Sequence, residues 1–230
     1  WRSFWLWFRL AVVVEGRGSS AKSSTATMSL EASISGPWPA SRLMKALLPA
    51  PVFPRTTTQR LPDGQYSVGM GPAFLEWQDV PLSEATDTLN LPELVPGLGA
   101  PVAVSIGNPH CVFFVEDADV MDFAPIGREI EHHPLFPNRT NVQFVTPMGR
   151  THIRQRVWER GVGITGASGS GACAGAVASL RRGLVDGPVS VFLDGGLLVI
   201  DWDQSSNQIT MTGTTTFAFN GVLSEAMLDG

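Results

Sequence analysis

The order of apolar and polar side chains predicts a series of strands and two helices after residue 60. The segments with β-rich or alternating patterns are 65–70, 101–106, 111–115, 141–146, 151–159, 189–193, 197–202, 208–212 and 216–223. Within 151–159, Ile153, Gln155 and Val157 alternate with polar partners, which is typical of an antiparallel strand buried on one face. Turns at residues 107–110 and 147–149 predict that the flanking strands pair.

Two segments have the properties of helices. Residues 122–132 place Phe123, Ile126 and Ile130 on one face. Residues 171–182 are rich in alanine, end in two arginines and precede Gly183, which is favourable just beyond a helix end. Small side chains on every side of this segment predict a helix buried inside a barrel or between sheets. Mostly antiparallel strands around few helices indicate an α+β fold.

The first sixty residues show no lasting periodicity and differ in charge from the rest. They contain eight Lys/Arg and two acidic residues, whereas residues 61–230 contain eight Lys/Arg and nineteen acidic residues. Such a break predicts two parts, an anomalous basic segment at 1–60 that is disordered or artefactual and an organised region at 61–230. A misread stretch, an unrelated fusion, a targeting segment and a divergent lobe are the alternatives for the basic segment.

Charge and cysteine usage exclude several classes of function. The net charge of −5 argues against nucleic acid or an anionic membrane as the main partner. The apolar run at residues 1–14 is too short to span a bilayer. Cys111 and Cys173 cannot form a disulfide framework, and no Cys/His cluster suggests zinc or another metal. Two reduced thiols are typical of a cytoplasmic protein, which is the expected location.

Two glycine-rich segments resemble the sequence motifs of known functional sites. Residues 161–166 match GxGxxG, but the strand before them is polar on one face and the helix begins only after the next glycines, unlike a dinucleotide site. Residues 166–170 nearly match the nucleophile turn of α/β-hydrolases. All four histidines precede Ser168, however, which is the wrong chain order for that fold. Neither a nucleotide nor hydrolase chemistry is expected.

The turn rich in small residues before the second helix has two interpretations. Unpaired backbone N–H groups at a helix N-terminus favour an anion such as a substrate carboxylate. A tight turn in which Ser168 or Ser170 caps the helix is an equally consistent interpretation. Spacing alone leaves both open.

Four blocks resemble the C-terminal half of the diaminopimelate epimerase family. They are Gly107-Asn-Pro-His-Cys-Val, Phe136-Pro-Asn-Arg-Thr-Asn-Val, Glu159-Arg-Gly-Val-Gly-Ile-Thr and Gly169-Ser-Gly-Ala-Cys-Ala. The resemblance covers the chain from about Leu61 to Leu223. It implies two lobes, each a mixed β-barrel-like sheet around a central helix, with the active site between them. The C-terminal lobe is expected at about 72–212, a final strand returns to the N-terminal lobe, and that N-terminal lobe is incomplete.

The resemblance also implies a chemistry. Family members interconvert LL- and meso-diaminopimelate in lysine biosynthesis without a cofactor, using one cysteine from each lobe as base and acid. Ser168 occupies the second cysteine position and His110 helps to position the site, so these are the catalytic candidates. The implied substrate-binding residues are Asn108, Asn141, Glu159, Arg160, Gly169 and Ser170. A small amino-acid substrate is the implied partner, and a homodimer is the implied assembly.

Two departures from the family pattern leave an alternative open. Ser168 replaces a thiol by a hydroxyl, which is a far weaker acid and hence a poor base near neutral pH. Nothing in residues 1–60 matches the Asn-Gly-rich motif that carries the first cysteine. Cys111 and Cys173 match positions that are not catalytic in the family. The alternative is a catalytically inactive fragment, or a relative that only binds its ligand.

Overall fold

The computed structural model describes residues 58–216. The chain divides into two compact units, one made of residues 1–68 and 214–230 and the other of residues 69–213. The predictions for residues 1–57 and for nearly all of a final strand at 216–223 lie outside the described range.

In the first unit, the described residues form a short hairpin. Strand β1 (Thr58–Arg60) pairs antiparallel with the beginning of strand β2 (Tyr66–Pro72), so that Thr58 lies opposite Val68. Gly64 adopts a φ of +85° in the connecting turn, where its N–H donates to the Leu61 carbonyl oxygen at 3.0 Å. The strand predicted at 65–70 is therefore present. Strand β1 was not predicted, because three residues are too few to show alternation.

The second unit contains the remaining helices and strands of the described range. Its strands are β3 (Val102–Ser105), β4 (Pro109–Phe114), β5 (Asn141–Pro147), β6 (His152–Glu159), β7 (Gly163–Thr165), β8 (Val189–Leu193), β9 (Gly196–Asp203) and β10 (Gln208–Gly213), and its helices are α1 (Ala124–Glu131) and α2 (Gly169–Arg181). Each predicted element here is present, with ends that differ by at most two residues. Strand β7 is again too short to have been predicted.

A mixed sheet surrounds helix α2. The strand order is β10-β9-β8-β6-β5-β4-β3, with β7 beside β6. The β4–β5 and β6–β8 pairs are parallel, and the others are antiparallel. Helix α2 contacts all seven strands of that order. The prediction of an α+β fold with a central helix inside a mixed, barrel-like sheet is confirmed.

The composition of α2 explains its central position. Every residue from Gly171 to Ser179 is buried, and only Val177 among them is larger than cysteine. Small side chains let strands approach a helix from several directions, so an alanine-rich helix suits a site that is enclosed by a sheet. At its start, Ser168 has an extended backbone and its Oγ accepts a hydrogen bond from the Gly171 N–H at 3.2 Å. Of the two serines considered as caps, Ser168 is the one that caps the helix.

The sheet separates two apolar cores. On the α2 side, strand residues such as Val112, Val145 and Ile153 pack against the helix. On the other side, Phe113 and Phe144 stack with their ring centroids 5.7 Å apart and pack with residues of α1. The period of two in these strands assigns successive residues to opposite cores.

Helix α1 is held against β6 by a glycine contact. A Cβ atom on Gly127 would lie 2.6 Å from Cγ of Trp158, closer than two carbon atoms can approach. We expect Gly127→Ala to destabilise the fold by about 1–3 kcal/mol through overpacking, measured by urea unfolding. In a Trp158→Gly background, which also removes the Trp158 Cβ that would lie 2.7 Å away, the clash is absent, and the same change should stabilise by up to ~1 kcal/mol through helix propensity. An equal effect in both backgrounds would contradict this packing.

The GxGxxG segment has a structural use that differs from nucleotide binding. Gly161 and Gly163 adopt φ values of +77° and +103° in the tight turn between β6 and β7. The two strands pair antiparallel, with Glu159 opposite Gly163. The segment therefore forms a hairpin, whereas a dinucleotide site needs a crossover from a strand into a helix. Within residues 58–216, no helix is long and apolar enough to cross a membrane.

Candidate functional site

The N-terminal turn of α2 presents backbone donors. The Ala172 N–H donates to the Ser168 carbonyl oxygen at 2.8 Å, and the Gly171 N–H donates to Ser168 Oγ. The N–H groups of Gly169 and Ser170 have no acceptor among residues 58–216. Two unpaired N–H groups at the positive end of a helix make a favourable position for an anion.

The turn between β3 and β4 adds side chains to this position. The amide nitrogen of Asn108 donates to Ser170 Oγ at 3.3 Å, across 62 residues of sequence. The Asn108 Oδ1 atom lies 3.0 Å from Nε2 of His110. Asn108 is half-buried, whereas His110 is fully buried behind it. The structure thus brings together three predicted site residues, Asn108, His110 and Ser170. His110 is linked to the anion position only through Asn108.

His110 is held neutral by its surroundings. The pKa of its imidazole is lowered from 6.5 to about 3, chiefly by burial, with the Gln143 amide acting against the change and the nearby charge of Arg160 adding to it. A neutral imidazole has one N–H donor and one acceptor nitrogen. At neutral pH, His110 is therefore suited to orient Asn108 and unsuited to donate a proton as imidazolium.

Asn141 joins the two motifs on either side of it. Its amide nitrogen donates to the Pro109 carbonyl oxygen at 2.9 Å, and its Oδ1 accepts from the Arg160 N–H at 3.0 Å. The start of β4 and the residue after β6 are thereby held at a fixed distance. The Arg160 guanidinium is exposed and donates to the Asn138 carbonyl oxygen at 3.0 Å. Asn141 thus positions both neighbouring motifs, a role that the sequence did not predict.

A buried carboxylate also holds the turn between β6 and β7. Glu131, at the end of α1, accepts from the Gly161 N–H at 2.8 Å and from Trp158 Nε1 at 2.7 Å. The guanidinium of Arg139 lies 3.5 Å from the same carboxylate, which is only 3% exposed. Sequence analysis missed this residue, because a single glutamate at a helix end has no distinctive spacing.

Glu159 has a carboxyl group whose pKa is raised. Partial burial raises the pKa above its usual 4.5, and the hydroxyl groups of Thr165 and Ser168 act against that rise. The same hydroxyl of Ser168 caps α2, so Glu159 lies beside the anion position. A carboxylate with a raised pKa next to a candidate proton-transfer residue is typical of a catalytic site.

Replacing Glu159 should reveal its raised pKa in the pH dependence of stability. Folding favours the protonated form, so this group stabilises most below its unfolded pKa, and the stabilisation is lost as pH rises through the folded pKa. We expect Glu159→Gln to gain stability over the parent at about pH 7 and to gain less at about pH 4. Urea unfolding at both pH values measures this. Glu129→Gln, which removes an exposed carboxylate on α1, is the control for the same change at the surface.

Both cysteines are held as neutral thiols. Cys111 and Cys173 are free and fully buried. Burial raises the pKa of Cys173 to about 12 and raises that of Cys111 well above its usual 9.0. Since only a thiolate acts as a base or nucleophile, neither thiol is suited to remove a proton at neutral pH. Within residues 58–216, no three His, Cys, Asp or Glu side chains lie close enough together to bind a metal ion.

Comparison with known proteins identifies the family. The family model described as diaminopimelate epimerase matches residues 102–218. The diaminopimelate epimerase of Rhodospirillum centenum is 48% identical over 168 residues, which cover 73% of this chain and 57% of that protein. The chain belongs to the diaminopimelate epimerase family. It is thus a member of a family of isomerases.

Other relatives agree on the extent of the match. The diaminopimelate epimerase of Rhizorhabdus wittichii is 49% identical over 70% of this chain and 58% of its own length. That of Zymomonas mobilis is 47% identical over 70% of this chain and 60% of its own length. The chain therefore spans less than two thirds of the length of these curated diaminopimelate epimerases.

Solved structures with a similar arrangement include two epimerases. A hydroxyproline epimerase from Agrobacterium vitis aligns with a TM-score of 0.47 at 14% identity, covering 77% of this chain and 63% of that one. A predicted epimerase from Pseudomonas aeruginosa aligns with a TM-score of 0.46 at 18% identity, covering 73% of this chain and 62% of that one.

Proposed function

We propose that this chain acts as a cofactor-independent epimerase that interconverts LL- and meso-diaminopimelate in lysine biosynthesis. The observation that carries the proposal is the N-terminal turn of α2, where two backbone N–H groups with no acceptor among residues 58–216 adjoin Ser168. In the family pattern, Ser168 stands at the position of a catalytic cysteine. Membership of the diaminopimelate epimerase family supports the proposed substrate class.

In this proposal the backbone donors stabilise charge. The N–H groups of Gly169 and Ser170, with the Asn108 amide, hold the α-carboxylate of the substrate. When the α-proton leaves, negative charge moves onto that carboxylate, and preorganised donors stabilise it most in the transition state. Ser168 takes the α-proton on one face, and the group that stands at the family's first cysteine position returns a proton to the opposite face of the α-carbon. The product differs only in configuration, so the step needs no oxidant or other reactant.

The remaining candidates bind the rest of the substrate, transfer the proton or position the groups that do so. Arg160 has an exposed guanidinium, which suits it to a second carboxylate. Glu159 offers a carboxylate to an ammonium group, and Asn141 fixes the distance between the two flanking motifs. Ser168 stands at the proton-transfer position, with His110 orienting Asn108 from behind.

The setting of the reaction is also part of the proposal. The two free thiols support a cytoplasmic location, since such a compartment keeps cysteines reduced. We place the C-terminal lobe of the family at about residues 72–212, and we expect the protein to form a homodimer, as family members often do. Sedimentation measurements on the purified protein test the assembly.

Hydrogen exchange at the α-carbon tests the proposed reaction. Purified protein is incubated with LL-diaminopimelate in D₂O, and the substrate is analysed by mass spectrometry and NMR. Deuterium at the α-carbon, together with meso product, is the expected result. A chain that binds the substrate but incorporates no deuterium would contradict the proposed catalysis.

A further inference from the structure

Three buried polar side chains form a diagonal row on the α2 side of the sheet. They are His110 on β4, Gln143 on β5 and Gln155 on β6, and all are 0% exposed. Val112 lies opposite Gln143, and Val145 lies opposite Gln155, so each polar residue is diagonal to the next. Diagonal neighbours in a sheet are within reach of long side chains.

Several atoms of this row have no hydrogen-bond partner. Within residues 58–216, Nδ1 of His110 and both polar atoms of the Gln143 and Gln155 amides are unpaired. Buried polar groups in folded proteins are almost always paired, because leaving one unpaired costs folding free energy. With its Nε2 towards the helix, the Gln143 amide is close enough to His110 to raise the imidazole pKa, as an acceptor oxygen facing the ring does. A hydrogen bond between these two side chains would pair Nδ1 and one end of the amide.

The other nitrogen of His110 is linked to the candidate site. Its Nε2 lies 3.0 Å from Oδ1 of Asn108, whose amide nitrogen donates to Ser170 Oγ at 3.3 Å. A neutral imidazole carries only one proton. If His110 donates from Nε2 to Asn108, its Nδ1 must accept from Gln143. If the proton is on Nδ1 instead, donor and acceptor exchange roles in each hydrogen bond of the series that runs from Gln143 through His110 and Asn108 to Ser170.

Helix α2 selects between the two directions. The Gln143 amide adjoins the first turn of the helix, with its Nε2 at 3.2 Å from the position that a Cβ on Gly171 would take. The partial positive charge at a helix N-terminus favours a carbonyl oxygen over an N–H group. Because the two ends of an amide have nearly the same size, a 180° rotation places Oε1 against the helix and Nε2 towards His110. Gln143 then donates to Nδ1.

We propose that Gln143 is a positioning residue that holds His110 in its Nε2–H tautomer, so that Asn108 directs its amide N–H groups towards the N-terminal turn of α2. One N–H of Asn108 donates to Ser170, and the second adds to the donors of Gly169 and Ser170. The reversed tautomer would turn the Asn108 oxygen towards the turn, where it would repel a carboxylate. Only the nature of the anion rests on the proposed function.

The imidazole tautomer of His110 is measured directly by ¹⁵N NMR on the full chain. Its signals are those that remain when His132, His133 and His152 are replaced. We expect the Nε2–H tautomer in the parent and the Nδ1–H tautomer in Gln143→Glu, whose carboxylate accepts from Nδ1. If that variant fails to fold, the nearly isosteric Gln143→Met should give a mixture of both tautomers. An Nδ1–H parent, or a tautomer unchanged in the Gln143 variants, overturns the proposal.

Gln155→Met is the matched control. Gln155 is equally buried and, within the described part of the chain, equally unpaired. Its amide lies against Gly175, one turn further along α2, where its Oε1 is 1.9 Å from the position of a Cβ. Its replacement should leave the His110 tautomer unchanged. A change as large as that in Gln143→Met would assign the effect to loosened packing and overturn the proposal.

Calorimetric titration with LL-diaminopimelate separates this inference from the proposed function. We expect Gln143→Met to weaken binding about three- to tenfold, as the loss of one oriented hydrogen bond does, and Gln155→Met to leave it unchanged. Equal affinity in the parent and Gln143→Met overturns the role of Gln143 at the site. A parent that binds no diaminopimelate, but whose tautomer reverses in Gln143→Glu, contradicts the proposed function and supports the coupling of Gln143 to His110.

Discussion

We expect Ser168→Cys to exchange the α-proton of LL-diaminopimelate in D₂O about 10²–10⁴-fold faster than the parent chain, the range that a well-placed general base contributes. A thiol with a pKa near 8.5 is a few per cent ionised at neutral pH, whereas a serine hydroxyl is essentially never ionised there. The thiol would stand at the N-terminus of α2, where the helix dipole lowers its pKa further. Deuterium incorporation, followed by mass spectrometry, measures the gain.

The stability of this variant should change in the opposite direction. Ser168 Oγ caps α2 by accepting from the Gly171 N–H at 3.2 Å, and sulfur is a weak acceptor. Loss of the cap should cost about 0.5–2 kcal/mol in urea unfolding. A variant that is less stable and yet exchanges faster cannot owe its activity to a better-folded chain.

Ser168→Ala is the control for the exchange measurement. It loses the same cap as Ser168→Cys but supplies no ionisable group, so its exchange rate should not exceed that of the parent. Equal exchange in the cysteine and alanine variants would show that residue 168 does not face the α-carbon. The rate gain also depends on Glu159, whose carboxyl lies beside residue 168 and binds the ammonium group of the substrate in the proposed site. Adding Glu159→Gln to Ser168→Cys should therefore reduce the gain.

Much of the fold was predictable from the sequence, because β6 alternates with one face on a core and the strands that are buried on both faces form short apolar runs. Alternation over residues 151–159 predicted β6, and the small side chains of α2 predicted its enclosure by the sheet. Strands β1 and β7 were missed because three residues cannot show a period. The ends of α2 were ambiguous for a different reason: Ser168 and Ser170 are both good caps, and only the backbone geometry distinguishes them.

The candidate site was predictable where a motif supplied it and not elsewhere. Asn108 and Ser170 were implied by separate blocks, and the structure joins them by a hydrogen bond. Gln143 was not found, because one glutamine in a strand carries no spacing signal. Its polar side chain at an inward position of an apolar strand was the available clue. Its significance follows from the strand register, which places it diagonal to His110, and from the contact of its amide with the first turn of α2.

Replacing Glu131 by alanine should give the largest loss of stability among these changes. The side chain is 3% exposed and accepts hydrogen bonds from Gly161 and Trp158, with Arg139 3.5 Å away. Without the carboxylate, two donors in partly buried hydrogen bonds lose their acceptor, and the half-exposed guanidinium loses its counter-charge. Breaking such a buried network typically costs about 3–5 kcal/mol, which urea unfolding measures.

The Glu131 variants should also separate stability from the geometry of the site. Trp158→Phe removes one donor but leaves the Gly161 contact, so it should cost less and spare the turn that carries Glu159 and Arg160. Glu131→Ala releases that turn and should weaken diaminopimelate binding as well. A double-mutant cycle between residues 131 and 158 measures the Trp158 hydrogen bond. If Glu131→Ala left ligand affinity unchanged in the folded fraction, the turn would be held by Asn141 alone, through its contact with the Arg160 N–H.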